Sequence, residues 1–180
     1  MLQVVIPGRE FFDPRTNEFI TINETKLVLE HSLVSVSKWE AKWKKPFIGR
    51  TAKTHEESID YIRCMTITQN VDPIVYSAIP DDVFETVNAY IDDPMTATWF
   101  NSNDKGKPNR EVITSEIVYY WMIAMNIPPE YQKWHFNRLL TLIRVCNVKN
   151  APKKKMSKKE ILKRNRELNA ARRKELNTAG

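Results

Sequence analysis

The 180-residue sequence predicts a mainly α fold of the α+β kind: a helical core, a small N-terminal β element and a charged, partly helical C-terminal tail. Three observations predict it. Apolar residues recur at helical spacing through most of the chain, most densely over 111–146. Helix-start chemistry precedes these stretches at Ser32, Thr54, Asp72-Pro73 and Asp81-Asp82. Short β-branched segments concentrate before residue 30, and four glycines are too few for a strand-dense barrel or a glycine-rich phosphate loop.

Leu2 to Ile6 reads as a strand broken by Pro7-Gly8. Phe19 to Ile22 and Lys26 to Leu29 have strand composition, with Asn23-Glu24-Thr25 as a turn between them. Asp13-Pro14-Arg15-Thr16-Asn17 carries turn chemistry. A β-meander or hairpin is expected.

Ser32 can cap a helix running to about Lys44, with Leu33, Val36, Trp39 and Trp43 on one face and Pro46 as its stop. Lys38, Lys42, Lys44 and Lys45 ring the polar side. Two tryptophans beside lysines could form a base-stacking surface for nucleic acid. An aromatic face docked on the core is the plainer reading. Thr54 and Glu57 form a capping box for a helix to about Thr68 that buries Ile59, Ile62 and Met65. Asp72-Pro73 opens a short helical turn. A helix from Asp81 or Asp82 carries the stripe Val83, Phe84, Val87, Tyr90 and Ile91, and Asp92-Asp93-Pro94 ends it. Met95 to Phe100 suits a short strand or extended segment, and 101–109 a polar, flexible surface loop.

Two apolar segments follow, divided by Ile127-Pro128-Pro129. The first repeats Ile113, Ile117, Tyr120, Trp121 and Ala124, and the second Phe136, Leu139, Leu140 and Ile143. Proline stops one helix and suits the first turn of the next, so a largely buried antiparallel helical hairpin is expected at about 111–146.

Ala151-Pro152 marks the expected boundary between a globular domain, 1–150, and a basic extension, 151–180. From Lys153 to Gly180 there are 11 lysines and arginines against 3 glutamates, a net +8; the rest of the chain, with 17 against 19, is −2. The overall +6 therefore belongs to the tail. Ser157 and Glu160 again suit a capping box, and Ile161, Leu168 and Leu176 are widely spaced, so a nascent helix that orders on a partner is expected. The positive side chains are Lys153, Lys154, Lys155, Lys158, Lys159, Lys163, Arg164, Arg166, Arg172, Arg173 and Lys174. They could meet nucleic-acid phosphates, contact an acidic protein or keep the tail in solution.

The N-terminus lacks the pattern of a signal peptide, and the longest apolar run, the 11 residues Ile117 to Ile127, is too short to span a bilayer. Cys64 and Cys146 sit among apolar neighbours, and free thiols in a cytosolic protein are the simpler reading against a disulfide. His31, His55 and His135 have no second histidine or cysteine at metal-ligand spacing. A buried or hydrogen-bonded role is expected for His135. Glu56-Glu57 and Asp81-Asp82 sit where helix N-termini favour negative charge. Asp92-Asp93 sits at a C-terminus, where the dipole opposes it, and has no role legible in the sequence. No motif for nucleotide binding, nucleophilic catalysis or metal-assisted hydrolysis is present, so no catalytic residue, cofactor or metal is expected.

Several stretches together resemble a protein family: LEHSLVSVSKWEAKW at 29–43, DYIRCMTITQNVDP at 60–73, YIDDPMTATWF at 90–100, YYWMIAMNIP at 119–128 and QKWHFNRLLTLIRVCNVKN at 132–150, with the basic KKKMSKKE that follows. The chain resembles the tail assembly chaperones of long-tailed, siphovirus-type bacteriophages and prophages over nearly its whole length. The resemblance implies a non-enzymatic protein of the host bacterial cytoplasm that binds the tape-measure protein, prevents its aggregation during tail assembly and is absent from the mature virion. It also implies a possible longer, frameshifted form as a further partner, for which Lys153-Lys154-Lys155 could mark an adenine-rich slippery stretch. Self-association is compatible with it. The basic tail, Trp39 and Trp43, or the 83–91 stripe, are the expected partner surfaces. Two competing readings stand beside it: a virion structural subunit of tail or connector, and a nucleic-acid-binding module that uses the tail.

Overall fold

A computed structural model of the chain describes residues 1–13, 17–49, 52–100, 112–151 and 158–177. The fold is mainly helical with a small β element at the N-terminus. The chain divides into two compact units, Met1–Cys146 and Asn147–Gly180.

Strands β1 (Leu2–Ile6), β2 (Arg9–Asp13), β3 (Glu18–Ile22) and β4 (Thr25–Leu29) form two nested antiparallel ribbons. β1 pairs with β4, placing Val4 opposite Leu27, and β2 pairs with β3. The expected turn at 23–25 therefore joins strands that do not pair with each other, and β2 was not foreseen. Pro14, Arg15 and Thr16 of the other expected turn lie outside the described residues. Gly8 sits where the ribbons meet: a Cβ there would lie 3.1 Å from the Glu24 amide nitrogen and 3.2 Å from the Ile22 carbonyl. Period-two alternation buries Val4 and Ile6 from β1 and Leu27 and Leu29 from β4. In the β2–β3 ribbon Phe12 and Phe19 meet across the strands with their rings tilted by 60°, 5.3 Å between centroids, and remain exposed.

α1 (Leu33–Trp43) starts with a reciprocal cap: Ser32 Oγ accepts from the Ser35 amide, and Ser35 Oγ from the Ser32 amide. It closes at Lys44, in the left-handed region at φ 55°. α2 (His55–Met65) has the expected Thr54–Glu57 capping box. It stops short of Thr68 because the next residues turn along β4. The Ile67 amide donates to the Val28 carbonyl (2.8 Å), and the Val28 amide donates to Thr68 Oγ1 (2.9 Å). Asp72 caps the 3-10 turn Pro73–Ala78 through the Ile74 amide. α3 (Asp81–Asp92) buries Val87 and rests Val83, Phe84, Tyr90 and Ile91 against the core. Met95 to Phe100 is irregular, without a strand. The polar stretch 101–109 lies outside the described residues.

α4 (Ser115–Ala124) and α5 (Phe136–Asn150) are the two helices divided by the prolines, with the 3-10 turn Pro129–Lys133 between them. Asn126, at φ 53°, ends α4, and the Ile127 amide returns to the Met122 carbonyl. The packing differs from a simple hairpin, because α4 lies chiefly on α1. Its buried residues are Ser115, Val118 and Met122, one step round from the expected face, so Tyr120 and Ala124 point to solvent. In α5 the expected Phe136, Leu139 and Ile143 are buried. α6 (Lys158–Leu176) is the helix of the second unit; Ser157, its expected cap, lies outside the described residues.

Candidate partner-binding site

The 19 residues of α6 hold eight of the expected basic side chains, Lys158, Lys159, Lys163, Arg164, Arg166, Arg172, Arg173 and Lys174, against Glu160, Glu167 and Glu175. Lys153, Lys154 and Lys155 lie outside the described residues. Every residue of the helix is exposed. Its chemistry is sorted by face. Ile161, Leu168 and Leu176 follow one another at steps of seven and eight residues, two turns each, and so form one apolar stripe with Leu162 at its edge. Lys159, Lys163, Arg166, Arg173 and Lys174 form a face on roughly the opposite side, with Arg166, Arg173 and Lys174 edging an open groove over Ala170, while Lys158 and Arg172 fall within the apolar stripe and Arg164 beside it. Lys163 pairs loosely with Glu167 at 3.9 Å. The sequence foresaw a helix here that had too little apolar surface to join a core.

The two tryptophans take the plainer of the two expected places, an aromatic face docked on the core, and do not form an exposed partner-binding stripe. Trp39 is 1% exposed. Its indole N–H donates to the Glu57 carbonyl at 2.8 Å, and its ring packs on Phe47. No partner reaches it without unfolding α1 from α2. Trp43, half-buried beside it, donates to Asp60 Oδ2 at 2.9 Å, and Lys42 covers its ring and pairs with Asp60 Oδ1 at 2.5 Å. The 83–91 stripe likewise faces the core. The helical period was right in both cases; the face belongs to the interior because burying an aromatic side chain outweighs exposing it.

Exposed large apolar side chains lie on α4, among them Tyr120, which was expected on the buried face, and Ile123, which was not placed on it. Tyr120 is 66% and Ile123 75% exposed, one turn apart. Trp99, 81% exposed, stands on the irregular segment after α3. α4 is apolar on nearly all sides, so periodicity could not say which of its faces would be covered.

A second group that sequence spacing missed is a buried polar chain. His31 Nδ1 lies 2.5 Å from the Tyr61 hydroxyl, which lies 3.3 Å from Ser35 Oγ; Ser35 in turn donates to the Ser32 carbonyl at 2.7 Å. His135 meets the edge of His31, 5.0 Å between centroids, and its Nε2 lies 3.0 Å from the Tyr90 carbonyl. Tyr90 donates to Glu30 at 2.7 Å. Burial, then the positive charge of His135 and Lys53, lowers the His31 pKa to about 3. Burial pushes Tyr61 well above the usual phenol range. The Ser–Tyr–His order superficially suits nucleophilic activation, but Ser35, Tyr61 and His31 are sealed from solvent and no substrate carbonyl can approach Ser35. The chain instead satisfies most of the buried polar groups where β4, α1, α2 and α5 converge, and leaves His135 Nδ1 buried without a hydrogen-bond partner among the described residues. His135 takes the buried, hydrogen-bonded place expected of it.

Cys64 and Cys146 are free, and burial raises the Cys64 thiol to about 11, so it is not a nucleophile at neutral pH. Among the described residues no cluster of three or more histidines, cysteines and carboxylates is placed to hold a metal. No described helix is long and apolar enough to cross a membrane. Comparison of the chain with protein-family models, with curated proteins and with solved structures finds no match.

Proposed function

We propose that this chain is a non-enzymatic assembly chaperone of a long-tailed bacteriophage, which binds the tape-measure protein and keeps it from aggregating while the tail tube is built. The observation that carries the reading is α6: an exposed helix with a stripe of Ile161, Leu168 and Leu176, interleaved with Lys158 and Arg172, and a basic face on the opposite side. A stripe of this kind cannot be buried by its own helix. It suits a long amphipathic client, whose apolar seam it covers as a helix-in-groove contact while lysine and arginine side chains meet client carboxylates. The resemblance of five stretches of the chain to tail assembly chaperones supports the same reading and supplies the client. The exposed Tyr120 and Ile123 of α4 offer the body an apolar contact of its own.

The test is co-expression with the tape-measure protein of the same phage, followed by affinity capture and by mass spectrometry of purified virions. Capture of the tape-measure protein, with this chain missing from virions, supports the proposal. Stoichiometric presence in virions without capture overturns it in favour of a structural subunit. Binding to DNA or RNA that is lost on adding salt, with no capture of the tape-measure protein, overturns it in favour of a nucleic-acid-binding module.

A further inference from the structure

The geometry points to self-association of this chain through reciprocal pairing of the basic face of α6 in one copy with the acidic face of α3 in a second copy. The inference does not depend on the identity of any client. It starts from two carboxylates at a helix end that disfavours negative charge. Asp92 and Asp93 stand at the C-terminus of α3, where the helix dipole disfavours negative charge. Asp82 and Glu85 stand on the same helix, which carries no lysine or arginine at all. All four are exposed. The carboxylates of Asp82, Glu85 and Asp92 have no hydrogen bond or ion pair with any described residue. The Asp93 carboxylate caps the following turn, accepting from the Met95 amide at 2.7 Å, and its carbonyl accepts from Asn137 Nδ2 at 2.9 Å.

α6 presents the opposite charge in the same rhythm. Lys163, Arg166, Arg173 and Lys174 are separated by steps of three, seven and one residues, and Asp82, Glu85, Asp92 and Asp93 by the same three steps. On two parallel helices these steps place the charges at matching heights, about 4.5 Å and then about 10.5 Å apart. The long stems of lysine and arginine reach across the remaining offset and cover the helix between. One exposed ion pair contributes little, but four on one face act together. Two-fold symmetry doubles the set, because each copy offers both an α3 and an α6, and the contact then closes on itself as an isologous dimer. The dimer uses the basic face and leaves Ile161, Leu168 and Leu176 uncovered, so it does not compete with an apolar client for the stripe.

The experiment is sedimentation velocity of the full chain across a range of concentrations, at about 50 mM and about 500 mM salt. The expected result is a monomer–dimer equilibrium at low salt that weakens at least tenfold at high salt. Two variants then read the contact itself. One carries Asp82→Lys, Glu85→Lys and Asp92→Lys; the other carries Lys163→Glu, Arg166→Glu and Arg173→Glu. Each alone sets like charges against like and is expected to be monomeric, with an unchanged helical circular dichroism spectrum. Mixed in equal amounts they restore both contacts, basic α6 to acidic α3 and acidic α6 to basic α3, and are expected to form a heterodimer. A wild-type chain that is monomeric at low salt, variants that dimerise alone as the wild type does, or a mixture that stays monomeric would each overturn the inference. Pairing within one chain gives the first of these outcomes.

Discussion

The Tyr61 hydroxyl and His31 Nδ1 lie 2.5 Å apart in the interior, and each residue is 2% exposed. A neutral His31 can accept the Tyr61 proton at Nδ1; a protonated one cannot. The same junction holds the start of α5, where the Phe136 amide donates to the His31 carbonyl at 2.7 Å. The charge state of one imidazole is therefore tied to the place where the β element and three helices meet.

Stability should fall in mild acid. An unfolded histidine takes up a proton near pH 6.5, whereas the folded His31 does so only near 3. Between these values the unfolded chain binds more protons, so stability is full above about 6.5 and declines as pH drops, by up to about 1.4 kcal/mol per pH unit. Glu57, whose pKa is lowered by Lys45 and then by the Thr54 amide, adds its own loss only as the pH falls below its ordinary value of 4.5. Thermal melts between pH 7 and pH 5 isolate the histidine. The melting temperature should drop across that interval, and His31→Gln should flatten the slope; an unchanged slope in that variant would show that His31 is not responsible.

Glu40 should be among the least replaceable surface-adjacent carboxylates. Its Oε1 accepts from the Phe47 amide at 2.6 Å and its Oε2 from the Ser115 amide at 2.7 Å. One side chain on α1 thus caps both the turn after it and the first turn of α4. In Glu40→Gln an amide donor faces a backbone donor at one of the two sites, with an expected loss of about 2 kcal/mol. Chemical denaturation measures it; a loss under about 0.5 kcal/mol would mean that the two contacts are not held in solution.

Trp39 and Trp43 should separate by burial. Trp39→Phe keeps a ring in place but leaves the Glu57 carbonyl without its indole donor, for about 1–2 kcal/mol. Trp39→Ala should cost about 3–5 kcal/mol. Trp43→Ala, at a half-buried site, should cost less than Trp39→Ala. Equal losses would place both rings in the same environment and contradict the packing of α1 on α2.

The apolar stripe of α6 should matter for binding and not for folding. Ile161→Asp with Leu168→Asp changes two exposed positions, so the melting temperature of the body should stay put. Capture of the tape-measure protein should fall about tenfold or more, on the scale of losing two apolar anchors. Undiminished capture would move the client contact away from α6, with Tyr120 and Ile123 as the next positions to change.

Much of the fold was legible in local chemistry. The Ser32, Thr54 and Asp72 caps start helical segments where the sequence places them, because a cap needs only a side-chain oxygen and a nearby amide. Val87 and its neighbours face inward as their spacing requires. Local chemistry failed where two partners were equally suitable. Nothing near 23–25 says that β4 pairs with β1 and not with β3, since strand pairing is chosen by the face that the helices cover. α4 could have buried any of its sides. The His31–Tyr61 pair joins residues 30 apart, on a loop and a helix whose approach no local pattern encodes.

By itself the sequence determined the helical character, the helix starts, and the separation of a mildly acidic body from a basic, helix-prone tail. These depend on period, capping and charge, all of which act within a few residues. Only the tertiary structure decided which apolar side chains of α4 remain outside, Tyr120 and Ile123 among them. It also decided that two histidines meet where β4, α1 and α5 converge. The physical reason is that burial is a property of neighbours, and neighbours distant in the chain are chosen by how the whole set of apolar faces can be covered at once.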